Sequence, residues 1–311
     1  MLKKASKVAL AVSIASISGL TMAANCSTVR FSDVGWTDIT STTAVATEIL
    51  QGLGYQTKIQ LLSVPVTYTS MANGDIDVFL GNWMPSMKAD VAPYLKAGTV
   101  QDLGPNLKGA KYTLAVSKEA YDAGVTDFSD LAKHRKEFAG RIYGIEPGND
   151  GNRLIQDMID KNAFDLGNFQ LVESSEAGML SQVKRNIRRH KWIAFLGWAP
   201  HPMNSNFDMD YLSGGDEYFG PNYGGANVHT NIRKGYLAEC PNVGKFVKNL
   251  KFTMSMENQV MGYILDDGKK PAVAAKEWLT ANPDALTAWL DGVKTQSGRD
   301  GLAAVKTHLG L

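Results

Sequence analysis

Three tryptophans stand in matching surroundings along this 311-residue chain. Trp36 lies in Asp33-Val34-Gly35-Trp36-Thr37-Asp38, Trp83 in Phe79-Leu80-Gly81-Asn82-Trp83-Met84-Pro85, and Trp198 in Phe195-Leu196-Gly197-Trp198-Ala199-Pro200. Each comes just after an apolar, strand-like run and a glycine or Gly-Asn. Ligands of open α/β sheets bind outside the carboxyl ends of the strands, where these residues would fall. Trp192, Trp278 and Trp289 instead lie inside elements and read as packing. Indole faces gathered round one cavity attract a cation, with about 0.5–2 kcal/mol per face when water is excluded. The cation that most needs such a cage is a quaternary ammonium, which has no N–H to donate. Four faces would give roughly micromolar affinity after the costs of association.

Signals for a reaction are missing. There is no Gly-x-Ser-x-Gly elbow and no phosphate-cradling glycine loop followed by Lys and Ser or Thr. The turn Gly148-Asn149-Asp150-Gly151 is glycine-rich but lacks those features. The five histidines (His134, His190, His201, His229, His308) have no metal-ligand spacing and read as surface or hydrogen-bonding residues. Asp266-Asp267 precede Gly268 and read as a helix end.

The elements that must position the tryptophans alternate between strand and helix, the pattern of an α/β fold. Strands are predicted over 28–31, 58–64 and 77–80, with helices over 39–50 and 66–72 between them. A second region repeats the rhythm: strands over 111–117, 141–145, 170–173 and 191–197, with helices over 130–137, 152–162 and 175–188. It reads as a second domain, and Tyr112 stands at its entry. Residues 214–227 are rich in Gly, Tyr and Asn and read as loop. Helices are predicted over 243–253, 255–266, 271–281 and 283–293.

Residues 1–23 have a basic start (Lys3, Lys4, Lys7), an apolar run over 8–20 and small residues after it. This is the pattern of a secretory signal peptide, cleaved after Ala23 or Ala24. The run is too short and serine-rich for a good membrane span. Cys26 raises the alternative of lipid attachment, for which the preceding Asn25 is a poor match. Cleavage would move the net charge from +1 to −2, because three lysines and no acid leave. A mildly acidic protein has no electrostatic reason to bind nucleic acid. The basic run Lys184–Lys191 reads as a solvated helix face, with a docking surface as the second reading. Cys26 and Cys240 are the two cysteines, and in an oxidising compartment an even count favours pairing over two buried thiols.

The tryptophan segments, with Gly144-Ile145-Glu146-Pro147-Gly148-Asn149-Asp150 and the extension Ala199-Pro200-His201-Pro202-Met203, resemble the glycine betaine/choline/proline-betaine substrate-binding proteins of ATP-binding-cassette transporters. The resemblance covers essentially the whole mature chain. It implies a two-lobed, type II Venus-flytrap fold with two crossover strands. Lobe I would hold 24–110 plus 205–311, and lobe II 111–204, with the ligand cleft between them. It implies an aromatic box of Trp36, Trp83, Tyr112 and Trp198, with Asp38 and Asn149 beside it. It also implies a periplasmic monomer without cofactor or metal that hands its ligand to a membrane permease. Asp38 would accept a hydrogen bond from a ligand hydroxyl and repel a ligand carboxylate. That ranks choline above glycine betaine and carnitine, with glycine betaine, carnitine or acetylcholine as alternative main ligands. Arg153 is the one nearby cation that could clamp a carboxylate, although it also reads as a helix-surface residue. The rival from another class is an exported choline-ester hydrolase.

Overall fold

The computed structural model describes residues 26–311, so the signal read over 1–23 lies outside the described residues. Nine strands form one mixed sheet: β1 (Thr28–Asp33), β2 (Gln56–Leu61), β3 (Val78–Met84), β4 (Val100–Ser117), β5 (Arg141–Tyr143), β6 (Gln170–Val172), β7 (Ala194–Ala199), β8 (Met209–Tyr211) and β9 (Gly225–Arg233). Their order is β2-β1-β3-β9-β4-β7-β5-β6, with β8 alongside β4. Pairing is parallel at both ends, where β1 joins β2 and β3, and β5 joins β6 and β7. Parallel neighbours need long crossovers, and the helices between successive strands supply them. In the middle the pairing is antiparallel.

Two strands carry the chain between the ends. β4 pairs with β9 through its first half and with β7 and β8 through its second. β9 then returns to β3. The architecture is α/β and two-lobed with two crossover strands. The sequence placed the return near 205. In the structure β8 still pairs with Ala115–Ser117, and the chain recrosses only along β9. The first half of β4 and all of β9 were absent from the expected strands. The ladder of β4 with β9 runs past Gly104, Pro105 and Gly109 with register shifts at Asp102/Pro105, Pro105/Leu107 and Lys108/Ala110.

The helix Thr37–Gly52, predicted over 39–50, is buried almost throughout. It packs against β1 and β3 on one side and the late helices Met254–Leu265, Pro271–Ala281 and Gly301–Leu309 on the other. Its small hydroxyls tolerate this by bonding back along the helix: Ser41 Oγ donates to the Thr37 carbonyl at 2.6 Å and Thr42 Oγ1 to that of Asp38 at 3.1 Å. Trp278 and Trp289 stack 6.1 Å apart within this packing. Among the described residues no helix is long and apolar enough to cross a membrane.

Cys26 and Cys240 form a disulfide with Cα atoms 5.6 Å apart, which ties the start of the described chain to the late helices across 214 positions. Closing so long a loop restricts the unfolded chain, by about 3–5 kcal/mol on the chain-entropy account. Urea unfolding with and without reductant should show a loss of that order. An unchanged midpoint in the reduced protein would contradict it.

Candidate ligand-binding site

The elements bring the predicted residues to one place. Trp36 occupies the N-cap position of the Thr37–Gly52 helix, three residues past β1. Asp38 stands in that helix's first turn. Tyr112 lies in β4, opposite Trp198 of β7 in the ladder. Asn149 caps the helix Asp150–Asp160 by accepting from Asn152 N–H at 3.0 Å. Trp83 and Trp198 stand inside the last turns of β3 and β7 rather than beyond them. Position outside an element was therefore a poor criterion; the side-chain direction at a strand end decides.

Trp36, Asp38, Trp83, Tyr112, Asn149 and Trp198 line a common space, together with Ile145 and Asp150. All eight are buried. The space among their atoms is no more than about 250 Å³. A space bounded this tightly takes only a small molecule. Tyr112 is the central ring, 5.8 Å from Trp83 and 6.4 Å from Trp198 between centroids. A Cβ on Gly151 would lie 2.0 Å from the Tyr112 hydroxyl oxygen, so only glycine there leaves room for the phenol.

The polar atoms of the walls are tied back. Trp83 Nε1 donates to Asp38 Oδ2 at 3.0 Å, Trp36 Nε1 to Glu146 Oε1 at 2.7 Å, and the Tyr112 hydroxyl to Asn149 Oδ1 at 3.2 Å. These bonds satisfy the rings' N–H and O–H edges and fix their orientation. Asp150 Oδ2 is buried without a hydrogen-bond partner. Ile145 and Asp150 lie in the segment Gly144–Asp150 that carries the family resemblance, but they were not among the residues expected to line the site.

Charge in the site is one-sided. Its two ionisable acids, Asp38 and Asp150, have no Lys, Arg or His among the lining residues. Arg153 turns away: its Nη2 is 2.7 Å from Asp90 Oδ2 and 3.1 Å from the Ser86 carbonyl. Burial pushes Asp38 up to about 8, reinforced by the charge of Glu176 and opposed by the Trp83 bond. Burial likewise raises Glu146 to about 7 and Asp150 to about 6. Tyr112 is raised too, by burial and then by the charges of Asp150 and Glu146, and stays a neutral phenol. Among the described residues no cluster of His, Cys, Asp or Glu could hold a metal ion.

Residues 27–281 match the family of the substrate-binding domain of ABC-type glycine betaine transport systems, and the chain belongs to that family. Its members capture solutes and are not enzymes. The chain superposes with a TM-score of 0.91 on an ABC-transporter choline-binding protein in complex with choline, at 61% identity, over 92% of this chain and 99% of that one. It superposes at 0.85 on an ABC-transporter choline-binding protein in an unliganded semi-closed conformation, at 62% identity, over 92% and 99%. The glycine betaine/carnitine transport binding protein GbuC of Listeria monocytogenes is 32% identical over 157 residues, 50% of this chain and 51% of that protein.

The acids have a consequence for stability. A carboxyl whose pKa is higher in the folded protein than its ordinary 3.8 keeps a proton that the unfolded chain has lost. Stability contributed this way is full at low pH and declines as pH rises from about 4 towards 8, then levels off. The melting temperature of the unliganded protein should therefore fall between pH 6 and pH 8.5. Asp38→Asn should flatten the upper part of that fall, and an equal slope in the variant would remove Asp38 as its source.

Proposed function

We propose that this protein captures choline in a box of Trp36, Trp83, Tyr112 and Trp198 and delivers it to the membrane permease of an ATP-binding-cassette importer. The observation that carries this is the composition of the site: four aromatic walls and two carboxyls, with no cationic side chain among the lining residues. The trimethylammonium head meets the ring faces. The hydroxyl end meets Asp38, whose Oδ2 is held by Trp83 and whose other oxygen can accept, and Asn149, whose amide can donate. A betaine or carnitine carboxylate would instead face Asp38 and Asp150 without a counter-ion, which costs affinity.

In this reading the protein is exported to the periplasm by the segment 1–23. The lobes divide near residue 110 on the way out and near 225 on the way back, along the two crossover strands. Trp36, Asp38 and Trp83 belong to one lobe and Tyr112, Asn149 and Trp198 to the other, so the ligand stabilises the closed form. No nucleophile with a base beside it lines the site, and acetylcholine is bound without release of acetate.

Calorimetry with choline, acetylcholine, glycine betaine and carnitine tests the ranking; tighter binding of glycine betaine than of choline would overturn it. Trp198→Ala should weaken choline binding by about 1–3 kcal/mol on the cation–π scale. A bound cation also favours the Asp38 carboxylate and expels its proton. Choline affinity should then rise with pH, by at most about tenfold per unit, until the pH passes about 8. Affinity independent of pH between 6 and 8.5 would contradict that coupling.

A further inference from the structure

The helix Thr37–Gly52 begins without a cap of its own. Trp36 holds the N-cap position with extended backbone, and its side chain makes no bond to the first turn. The first N–H groups of a helix have no partner within it and carry partial positive charge. Thr37 N–H finds its acceptor from the other end of the sheet: Glu176 Oε2, at 2.8 Å. The Thr37 hydroxyl donates to Oε1 of the same carboxylate. Glu176 opens the helix Glu176–Ile187, between β6 and β7, whereas Thr37 lies between β1 and β2.

A third donor converges on Glu176. His201 Nε2 lies 3.2 Å from Oε1. Met203 N–H donates to His201 Nδ1 at 2.9 Å, so in the neutral ring the proton sits on Nε2 and points at Glu176. The His201 ring in turn stands edge-on to Trp198, 4.9 Å between centroids at 69°. Thr37, Glu176 and His201 are 9%, 5% and 2% exposed. The other ties across the cleft are wetter. Arg153, which holds Asp90, leaves 40% of its side chain in water, and Glu146, which holds Trp36, is half-buried. A dry, charge-assisted bond is the stronger kind.

We infer that Glu176 is the closure latch of this protein: a carboxylate from one lobe that caps the helix carrying Trp36 and Asp38 in the other. This rests on the aromatic-box reading of the site. Glu176 is a positioning residue, because it does not line the cavity. Its partners link one box wall from each lobe, Trp198 through His201 and Trp36 through its neighbour Thr37. When the lobes part, the helix loses its cap, and the Glu176 carboxylate and the Thr37 donors must each be solvated. When a ligand draws Trp198 and Trp36 together, the latch seats. It therefore lengthens the life of the closed form and leaves the choice of ligand alone.

The test is Glu176→Gln. Donors reach both carboxylate oxygens, and an amide must turn its NH2 towards one of them, so the swap breaks the latch at constant size. Stopped-flow tryptophan fluorescence with choline should show dissociation about 10- to 100-fold faster, with association changed by less than about threefold. The order of choline, acetylcholine and glycine betaine should not change. Small-angle scattering without ligand should show a larger radius of gyration for the variant than for the native protein. Thr37→Val, which removes only the hydroxyl, should move the same quantities in the same direction by about threefold, and it decides the matter if Glu176→Gln does not fold. Unchanged dissociation and unchanged dimensions would overturn the latch, and an altered ligand order would make Glu176 a ligand contact instead. If the native protein fails to bind choline, the ligand reading falls, while scattering of the ligand-free pair still decides the latch.

Discussion

Burying carboxyl groups among aromatic rings with no cation beside them is the constraint on which the rest of this structure depends. Asp38 and Asp150 line a cavity walled by three indoles and a phenol, and Glu146 and Glu176 stand just behind it. Burial makes Asp38, Glu146 and Asp150 costly to ionise, and their raised values record that cost. A permanent cation removes it, because its charge does not depend on pH and its methyl groups need no hydrogen bonds.

The surrounding hydrogen bonds keep the rings available for that task. Trp83 and Trp36 each spend their single donor on a carboxylate, and Tyr112 spends its hydroxyl on the cap residue Asn149. With those edges satisfied, the π faces are what remains to meet a ligand. The same bonds join parts of the chain far apart in sequence. Trp36 and Glu146 come from opposite ends of the sheet, as do Thr37 and Glu176. The residues lining the cavity and the contacts that join the two ends of the sheet are therefore neighbours in the chain and in space.

The fold makes this possible through β4 and β9. Both are long, antiparallel and shared by the two ends of the sheet, so each end can keep its own parallel strands and helices. Trp83, Tyr112 and Trp198 lie on strands of this sheet, and the late helices Met254–Leu265, Pro271–Ala281 and Gly301–Leu309 pack against the helix that carries Asp38.

Local sequence determined a good deal of this. Glycine or Gly-Asn before Trp36, Trp83 and Trp198, strand-like runs ahead of them and the absence of catalytic motifs pointed to a cation cage without chemistry. Strand and helix alternation gave the α/β class, since period and turn residues are local properties. The family resemblance was needed to select Tyr112 and Asn149 from many tyrosines and asparagines. Other features belonged to tertiary structure. The first half of β4 looked broken because Gly104, Pro105 and Gly109 stop a strand in isolation; pairing with β9 carries the ladder past them. Nothing in the local sequence marked Glu176 and His201 as partners of each other or of Thr37. Their roles come from burial and from partners 25 to 139 positions away, distances that no local pattern encodes.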